Sequence, residues 1–436
     1  MPTFEYRSGV EVTPDVVYEW HAQPGTFERL IPPWEPVEVI EHAPGLAVGN
    51  RTVVTTRIGP TAQRFAAKIV ESESGVMFRD VQEEGPFAAW SHTHRFVPEA
   101  KKFCLIEDRV EYELPMGFLG KAFGHRYAER RLARMFDFRH DRTRYDISRL
   151  RVLRRKLGDQ RIAVTGASGL IGRELVNYLR SGGMRVDPLV RRQPRPGTTE
   201  IYWNPETGEI DAEALEGVDA VVHLAGENLA ADQWTAEFKE KVRLSRFQGT
   251  NVLCHALAGL KHKPRVLVSA SAIGWYGSRG DDELDETATP GTGFLAEVCK
   301  SWEKETRIAA EAGIQTVNAR IGIVISARGG LLAKVLPMFR RGLGARVGSG
   351  RQWMAWVSLE DVIGGISHLL HTGELTGPVN LTAPHPVTNA DFTRILANVL
   401  HRPAMFSAPE SAIRRFMGER GESLALQSAR VKPRRI

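Results

Sequence analysis

The stretch "RIAVTGASGLIGRELVNYLRSGG", which opens at Arg161, constrains the chain more than any other. Ile162, Ala163 and Val164 run into Gly166, Gly169 and Gly172, and Leu170, Ile171, Leu175, Val176 and Leu179 then recur at helical spacing. Buried strand, tight turn and amphipathic helix follow in that order, and Gly183 or its neighbour stops the helix. Such a unit belongs to an α/β fold with a doubly wound parallel sheet. Glycine lets the backbone approach a pyrophosphate closely, while the first N–H groups of the helix and its positive dipole end face the same point. A purely structural turn would also use glycine, but here strand and helix both stand where a dinucleotide fingerprint requires them. Gly166, Ser168, Gly169, Leu170, Ile171 and Gly172 are therefore cofactor-binding candidates.

Some 160 residues precede this turn, and a chain of 436 residues is long enough for two or three domains. A content of 42% hydrophobic and 25% charged residues is that of a globular protein. The start "MPTFEYRSGVEV" lacks the basic region and apolar core of a signal peptide, and no long uncharged apolar run follows, so a cytoplasmic chain without a membrane span is expected. Cys104, Cys254 and Cys299 show no CxxC or CxxH spacing and read as buried or free thiols. The net charge of +6 gathers in the segment 130–161 and in the tail "ARVKPRRI". Interleaved acidic residues and the lack of any nucleic-acid motif favour a solvated helix face and linker, with no nucleic-acid partner.

Residues 1–115 read as mostly β: "TFEYRSGVEV", a short helix with Thr13 as N-cap and Pro14 in its first turn, then "PVEVIEHA", "NRTVVTTRIG", "QRFAAKIVES", "VMFRDVQEE", "AAWSHTHRFVP" and "FCLIEDRVEYEL". A long amphipathic segment follows, "GFLGKAFGHRYAERRLARMFDFRHDRTRYDI". A curved antiparallel sheet gripping a helix fits this order. It resembles the START-like, helix-grip superfamily, also called polyketide cyclase/dehydrase-like, which implies an apolar ligand held between sheet and helix. The segment "GPFAAWSHTHRF" is similar to a recurrent pattern in one branch of it. His92 and His94 alternate and project from one face of a strand. An HxH pair can bind a metal, but no third ligand is identifiable near it, so a polar pocket lining or a solvated strand face is expected, and no metal. The domains are then 1–148, a linker at 149–159 marked by its charge, and 160–436.

Within the last domain, "TGASGLIG" is spaced GxxGxxG and resembles the glycine motif of the extended short-chain dehydrogenase/reductase superfamily. That resemblance implies a seven-stranded Rossmann sheet and a smaller C-terminal substrate lobe. The second strand, "MRVDPLVRR", ends on Arg191 and Arg192, with Asp187 too early to reach a ribose 2′-hydroxyl. Arginine there accommodates a 2′-phosphate, so NADP(H) is expected rather than NAD(H). Leu224, Ala225 and Gly226, at the end of "VDAVVHLAG", match a superfamily stretch lining the cofactor. In "RVLVSASAIGWYG", Ser271 matches the superfamily's catalytic serine best, with Ser269 as alternative, and Trp275 and Tyr276 follow in a loop over the substrate. The expected YxxxK pair is absent: Lys300 would need a tyrosine where Ala296 stands. Tyr276, Glu297, Cys299 or Lys300 would have to substitute, and the catalytic candidates are Ser271, Tyr276 and Lys300.

Further segments, "WNPETGEIDAEALEGVDAVVHLAGENL", "KVRLSRFQGTNVL", "GSGRQWMAWVSLEDV" and "GPVNLTAPHPVTNADFTRILANVLHRPA", look like the epimerase-family proteins of the extended type, including their short C-terminal segment (about 385–436). Family members often carry a His where this chain has Ser358. In "GSGRQWMAW", Arg351, Trp353 and Trp356 could hold an anionic or ring-bearing substrate or pack on the core, and Arg320 has the same two readings. With Trp275, Arg351 and Trp353 are the substrate candidates. Two functions stay open: an NADP(H)-dependent oxidoreductase or epimerase acting on a small molecule, such as a nucleotide sugar or an apolar ligand, and a non-catalytic cofactor-binding sensor or ligand carrier. Substrate, reaction direction and oligomeric state are not fixed by the residues.

Overall fold

The computed structural model describes residues 1–58, 61–115, 124–230 and 233–436. The first part of the long amphipathic segment, 117–123, and Gly59 at the end of one expected strand lie outside these residues. The chain divides into two compact units, one of Met1–Asp159 with Val176–Met184, the other of Gln160–Leu175 with Arg185–Ile436.

The first unit is built on strand β1 (Thr3–Val10), helices α1 (Pro14–Ala22) and α2 (Thr26–Arg29), and strands β2 (Glu38–His42), β3 (Arg51–Ile58), β4 (Thr61–Glu73), β5 (Met77–Glu84), β6 (Ala89–Ala100) and β7 (Phe103–Glu113). They form one seven-stranded antiparallel sheet in the order β1-β7-β6-β5-β4-β3-β2. Alternation explains the strands: in β7, Cys104, Ile106, Asp108, Val110 and Tyr112 point inward while their neighbours do not. Thr13 stands at the N-cap of α1 with Pro14 behind it, but its side chain makes no cap bond. The expected single helix there is interrupted at Gly25, whose φ of 86° admits glycine and few other residues.

Helix α3 (His125–Leu157) buries Leu132, Phe136, His140, Ile147, Leu150, Leu153 and Leu157 along one stripe. The segment 149–159, expected as a linker, is therefore helical as far as Leu157. Its basic residues masked an apolar repeat at Leu150, Leu153 and Leu157. Several arginines of this helix are held by the unit itself: Arg131 pairs with Glu35, Arg134 lies over the Trp34 ring at 4.4 Å, and Arg149 over Tyr145 at 4.0 Å. Deepest is Arg29, whose Nε and Nη2 each donate to one oxygen of Asp146 at 2.8 Å, with both side chains at most 1% exposed.

In the second unit, strands β8 (Arg161–Thr165), β9 (Arg185–Val190), β10 (Ile201–Asn204), β11 (Glu209–Ile210), β12 (Ala220–His223) and β13 (Val266–Ala272) are followed by strands Gln315–Ile321 and Gly377–Leu381. They lie in the order β11-β10-β9-β8-β12-β13, then Gln315–Ile321, then Gly377–Leu381. Seven are parallel, as the resemblance implied, and β11 adds a two-residue antiparallel edge to β10. The core joins Ala163, Val221, Leu253, Leu257 and Leu267, all fully buried, to Trp203. Strand order reverses between β8 and β12, and in open α/β sheets ligands bind outside the carboxyl ends of strands at such a switch point. Helix α4 (Leu170–Ser181) starts there and stops before Gly183, whose φ is 78°.

The tail does not stay in solvent. Strand Arg430–Val431 pairs with Glu283–Leu284, Arg430 and Lys432 reach Glu283, and Arg434 reaches Asp285. Arg435 Nη1 donates to the Thr376 and Pro378 carbonyls at 2.7 Å, and the Glu286 carboxylate accepts the Asn380 N–H, so side chains occupy the outer edge of strand Gly377–Leu381.

Replacing Asp146 by Ala removes the buried carboxylate that holds the Arg29 guanidinium, and is expected to cost about 3–5 kcal/mol in urea unfolding of the first unit. The double variant Arg29→Met with Asp146→Leu is expected to recover most of that loss, because it removes both buried charges.

Candidate functional site

At the switch point the glycines do different work. Gly166 has a φ of 66°, and a Cβ on it would stand 2.7 Å from the Leu224 carbonyl carbon and 2.9 Å from Ala225 N. On Gly172 a Cβ would collide with the Gly166 carbonyl, so glycine is needed there for α4 to sit against the strand end. Ser168 and Gly169 are exposed at the tip of the turn, and a Cβ on Gly169 would meet only the Gly166 oxygen, at 3.2 Å. Beyond the tip, the first-turn N–H groups of Leu170 and Ile171 have no place in the helix's own ladder. The turn thus has the open, donor-rich mouth that a pyrophosphate fits.

A buried polar chain fixes this mouth. Thr250 Oγ1 donates to Arg246 O at 2.7 Å, so it accepts from His223 Nε2 at 3.0 Å, which leaves His223 Nδ1 to accept from Thr165 Oγ1 at 2.7 Å. Thr165 Oγ1 in turn accepts from Leu224 N and Ala225 N at 3.1 and 3.2 Å. Leu224 and Ala225 are therefore pinned beside Gly166, and Gly226 faces the Arg246 guanidinium. His223 stays neutral, its pKa pushed down to about 3 by burial and then by the nearby Arg246 charge.

The end of β9 carries the two arginines. Arg192 is held by the buried Glu200 carboxylate through contacts of 2.5 and 2.8 Å, and Arg195 shares the same carboxylate. Arg191 is exposed, with Glu206 at 3.8 Å. The pair is thus unequal, and Arg192 is committed to the protein. Asp187 accepts from Arg161 at 2.8 and 3.0 Å and is buried, which removes the acidic group that would bind a ribose 2′-hydroxyl.

On the other side of the switch point, Ser271, Arg320 and Asn380 stand directly opposite one another across three neighbouring strands. Ser271 Oγ donates to Glu303 Oε1 at 2.6 Å, and Arg320 grips the same carboxylate through Nε at 2.8 Å and Nη2 at 2.9 Å. Arg320 Nη1 also donates to Tyr276 Oη at 3.0 Å, and that hydroxyl donates to Asn380 Oδ1 at 2.7 Å. The guanidinium carbon lies 3.9 Å from the centre of the Trp275 ring. Ser271, Tyr276, Arg320 and Asn380 of this network are all buried.

Two expected catalytic groups are corrected by this arrangement. Tyr276 is fully buried, both of its hydroxyl contacts are internal, and burial raises its pKa, so it braces the network instead of meeting substrate. Lys300 points away on helix Phe294–Glu305 and pairs with Glu297 on the surface at 3.2 Å. The Cys299 thiol is pushed up to about 11 by burial and is no nucleophile at neutral pH. Glu303 and Asn380 escaped the sequence reading. Glu303 extends the buried face set by Ala296 and Cys299 one turn further, and that periodicity was the trace it left.

The substrate candidates scatter. Trp353 donates to Asp281 at 2.8 Å with Arg430 over its ring, Trp356 donates to His385 O at 3.0 Å, and Arg351 is exposed. Ser358 caps helix Leu359–His371 by accepting from Asp361 N.

In the first unit a cavity of about 500 Å³ is lined mainly by apolar and aromatic side chains, among them Phe27, Leu30, Phe65, Phe78, Trp90 and Met135. His92 and His94 border it and are buried, so of the two expected readings the pocket lining fits and the solvated strand face does not. Nor does the pair lack a neighbouring carboxylate, because Asp80 is its partner across the β5–β6 ladder.

A glycine turn at the switch point of a seven-stranded parallel sheet defines a Rossmann-type protein. Residues 162–381 match the NAD dependent epimerase/dehydratase family, and the chain belongs to that family. Residues 10–136 match the polyketide cyclase / dehydrase and lipid transport family. An epimerase family protein of Mycobacterium bovis is 44% identical over 272 residues, covering 62% of this chain and 89% of the relative. The crystal structure of a nucleoside-diphosphate sugar epimerase from Corynebacterium glutamicum superposes with a TM-score of 0.79 at 30% identity, covering 99% of this chain and 85% of that one. The human epimerase family protein SDR39U1, solved with NADPH, gives a TM-score of 0.58 at 30% identity over 63% of this chain and 92% of its own. No helix among the described residues is long and apolar enough to cross a membrane.

His223 sets an acid dependence. Its folded pKa of about 3 lies below the ordinary 6.5, so the unfolded chain takes up the proton first; its contribution to stability is complete above pH 6.5 and is lost as pH falls toward 3. Replacing His223 by Gln is expected to lower the slope of unfolding free energy between pH 6 and 4 by up to about 1.4 kcal/mol per pH unit, read from urea melts.

Proposed function

We propose that the second unit is an NADP(H)-dependent oxidoreductase or epimerase acting on a hydroxyl or carbonyl carbon of a small molecule. The observation that carries the reading is the pairing of an open glycine turn with a β9 end where Asp187 is neutralised by Arg161 and Arg191 is exposed. In this reading Gly166, Gly169 and Gly172 admit the pyrophosphate, the α4 N-terminus supplies donors, and Arg191 meets the 2′-phosphate. The relatives named above support it, one by its nucleoside-diphosphate sugar epimerase name and one by the NADPH in its structure.

When bound, a nicotinamide accepts or donates hydride. The chain's own part is the proton. Because Ser271 already donates to Glu303, its oxygen lone pairs are left to accept from a substrate hydroxyl. Ser271 takes that proton and passes its own to Glu303 Oε1, while Arg320 keeps the carboxylate fixed from its other side. A serine–glutamate relay thus stands where the superfamily uses tyrosine and lysine. The second reading, a cofactor-binding sensor or ligand carrier without turnover, is favoured by the burial of Tyr276 and the outward turn of Lys300.

Titration monitored by intrinsic tryptophan fluorescence is expected to show NADPH binding about tenfold or more tighter than NADH, and Arg191→Ala is expected to erase that preference (a loss of about 1.4 kcal/mol). Equal affinities, unchanged by Arg191→Ala, would rule out the 2′-phosphate assignment. On a panel of nucleotide sugars and ketones, Glu303→Gln is expected to lower turnover by about 10²–10⁴ while leaving NADPH affinity intact. Absence of any Ser271-dependent turnover on that panel favours the sensor.

A further inference from the structure

The geometry points to a divalent transition-metal site in the cavity of the first unit, formed by Asp80, His92 and His94. Strand pairing builds it: Asp80 is the register partner of His92 across β5 and β6, and Asp108 is the partner of His94 across β6 and β7. One ligand atom from each of Asp80, His92 and His94 lies within 4.8 Å of the others.

The protonation pattern leaves lone pairs facing inward. Asp108 lies behind the histidines, where its Oδ1 accepts from His92 Nε2 at 2.8 Å and its Oδ2 from His140 Nε2 at 2.6 Å, while His140 Nδ1 takes the Ser8 hydroxyl proton at 2.7 Å. His92 Nδ1 is then an unprotonated acceptor, yet its neighbour at 3.6 Å is an Asp80 oxygen, a second acceptor. That distance is too long for a shared proton. It is the separation of two ligands around one ion, since atoms about 2.0–2.2 Å from a tetrahedral metal stand roughly 3.3–3.6 Å apart. His94 Nδ1, buried, lies 2.6 Å from Asp108 Oδ1, so the same carboxylate stands behind this ring too and Nε2 is left as its ligand nitrogen. Asp108 orients both rings from behind, as the carboxylate behind a metal-bound histidine does.

Charge agrees. Glu35 and Arg131, which also line the cavity, cancel each other as a pair at 2.5 Å, and Asp80 with Asp108 then outnumber Arg139 by one. Two imidazoles and one carboxylate suit zinc or iron(II), and three protein ligands leave a coordination position open. That position faces an apolar cavity, so the site would take a small apolar molecule bearing one oxygen donor.

The test uses the full, untagged chain, stripped with chelator and titrated with cobalt(II) and zinc(II) by calorimetry. One equivalent is expected to bind, with affinity reduced tenfold or more in Asp80→Asn and in His94→Ala, while an unchanged far-UV circular dichroism spectrum and urea melt report that each variant chain is folded. X-ray absorption of the wild-type cobalt form guards against a misfolded variant and is expected to show an N/O shell containing two imidazoles. No saturable binding, binding unaltered in both variants, or a shell with sulfur or without imidazole would overturn the assignment. None of these outcomes bears on the cofactor assignment of the second unit.

Discussion

The organisation of the second unit depends on how closely two strand ends approach. At Gly166 the chain leaving β8 passes so near Leu224 and Ala225 that no side chain fits between them. Everything around the switch point is arranged to hold that approach. Thr165 ties both backbone N–H groups to its hydroxyl, His223 and Thr250 fix that hydroxyl from behind, and Gly172 lets helix α4 sit over the turn. The polar atoms are spent inside the protein so that the N–H groups at the mouth stay available. A neutral, buried histidine is the natural strut, since it donates on one side and accepts on the other in a fixed line.

The same economy shapes the opposite side. Arg320 meets a carboxylate with two nitrogens, a phenol with the third, and an indole with its face. With Glu303 neutralised by Arg320, Ser271 rests against an anchored acceptor, and the row Ser271–Arg320–Asn380 lies along the carboxyl ends of three strands. Tyr276, placed by sequence in a loop over the substrate, is instead the pillar between Arg320 and Asn380.

What the sequence revealed and what it hid divide along one physical line. Strand alternation, the glycine turn, the Thr13–Pro14 helix start and the helix stop at Gly183 are local, and all were legible. The remaining features depend on register. Asp80 joins His92 because two strands pair at one offset, and Asn380 joins Arg320 for the same reason. Nothing within ten residues of His92 announces Asp80. Leu150, Leu153 and Leu157 were obscured differently, since four arginines and a lysine among residues 149–156 hid an apolar stripe that continues the helix. Of the two arginines ending β9, only the three-dimensional position of Glu200 tells which is committed.

The basic tail has a consequence that its charge alone would not suggest. An open parallel sheet ends in two edges whose unpaired N–H and C=O groups can template another chain. Here one edge is closed by the two-residue β11 hairpin and the other by single side chains, Arg435 on two carbonyls and Glu286 on an N–H. These side chains satisfy the edge without offering a new strand, so protection does not propagate into a further exposed edge. The basic residues near Ile436 are thus used to close one edge of the parallel sheet, a structural role that their charge alone would read as solvent-facing.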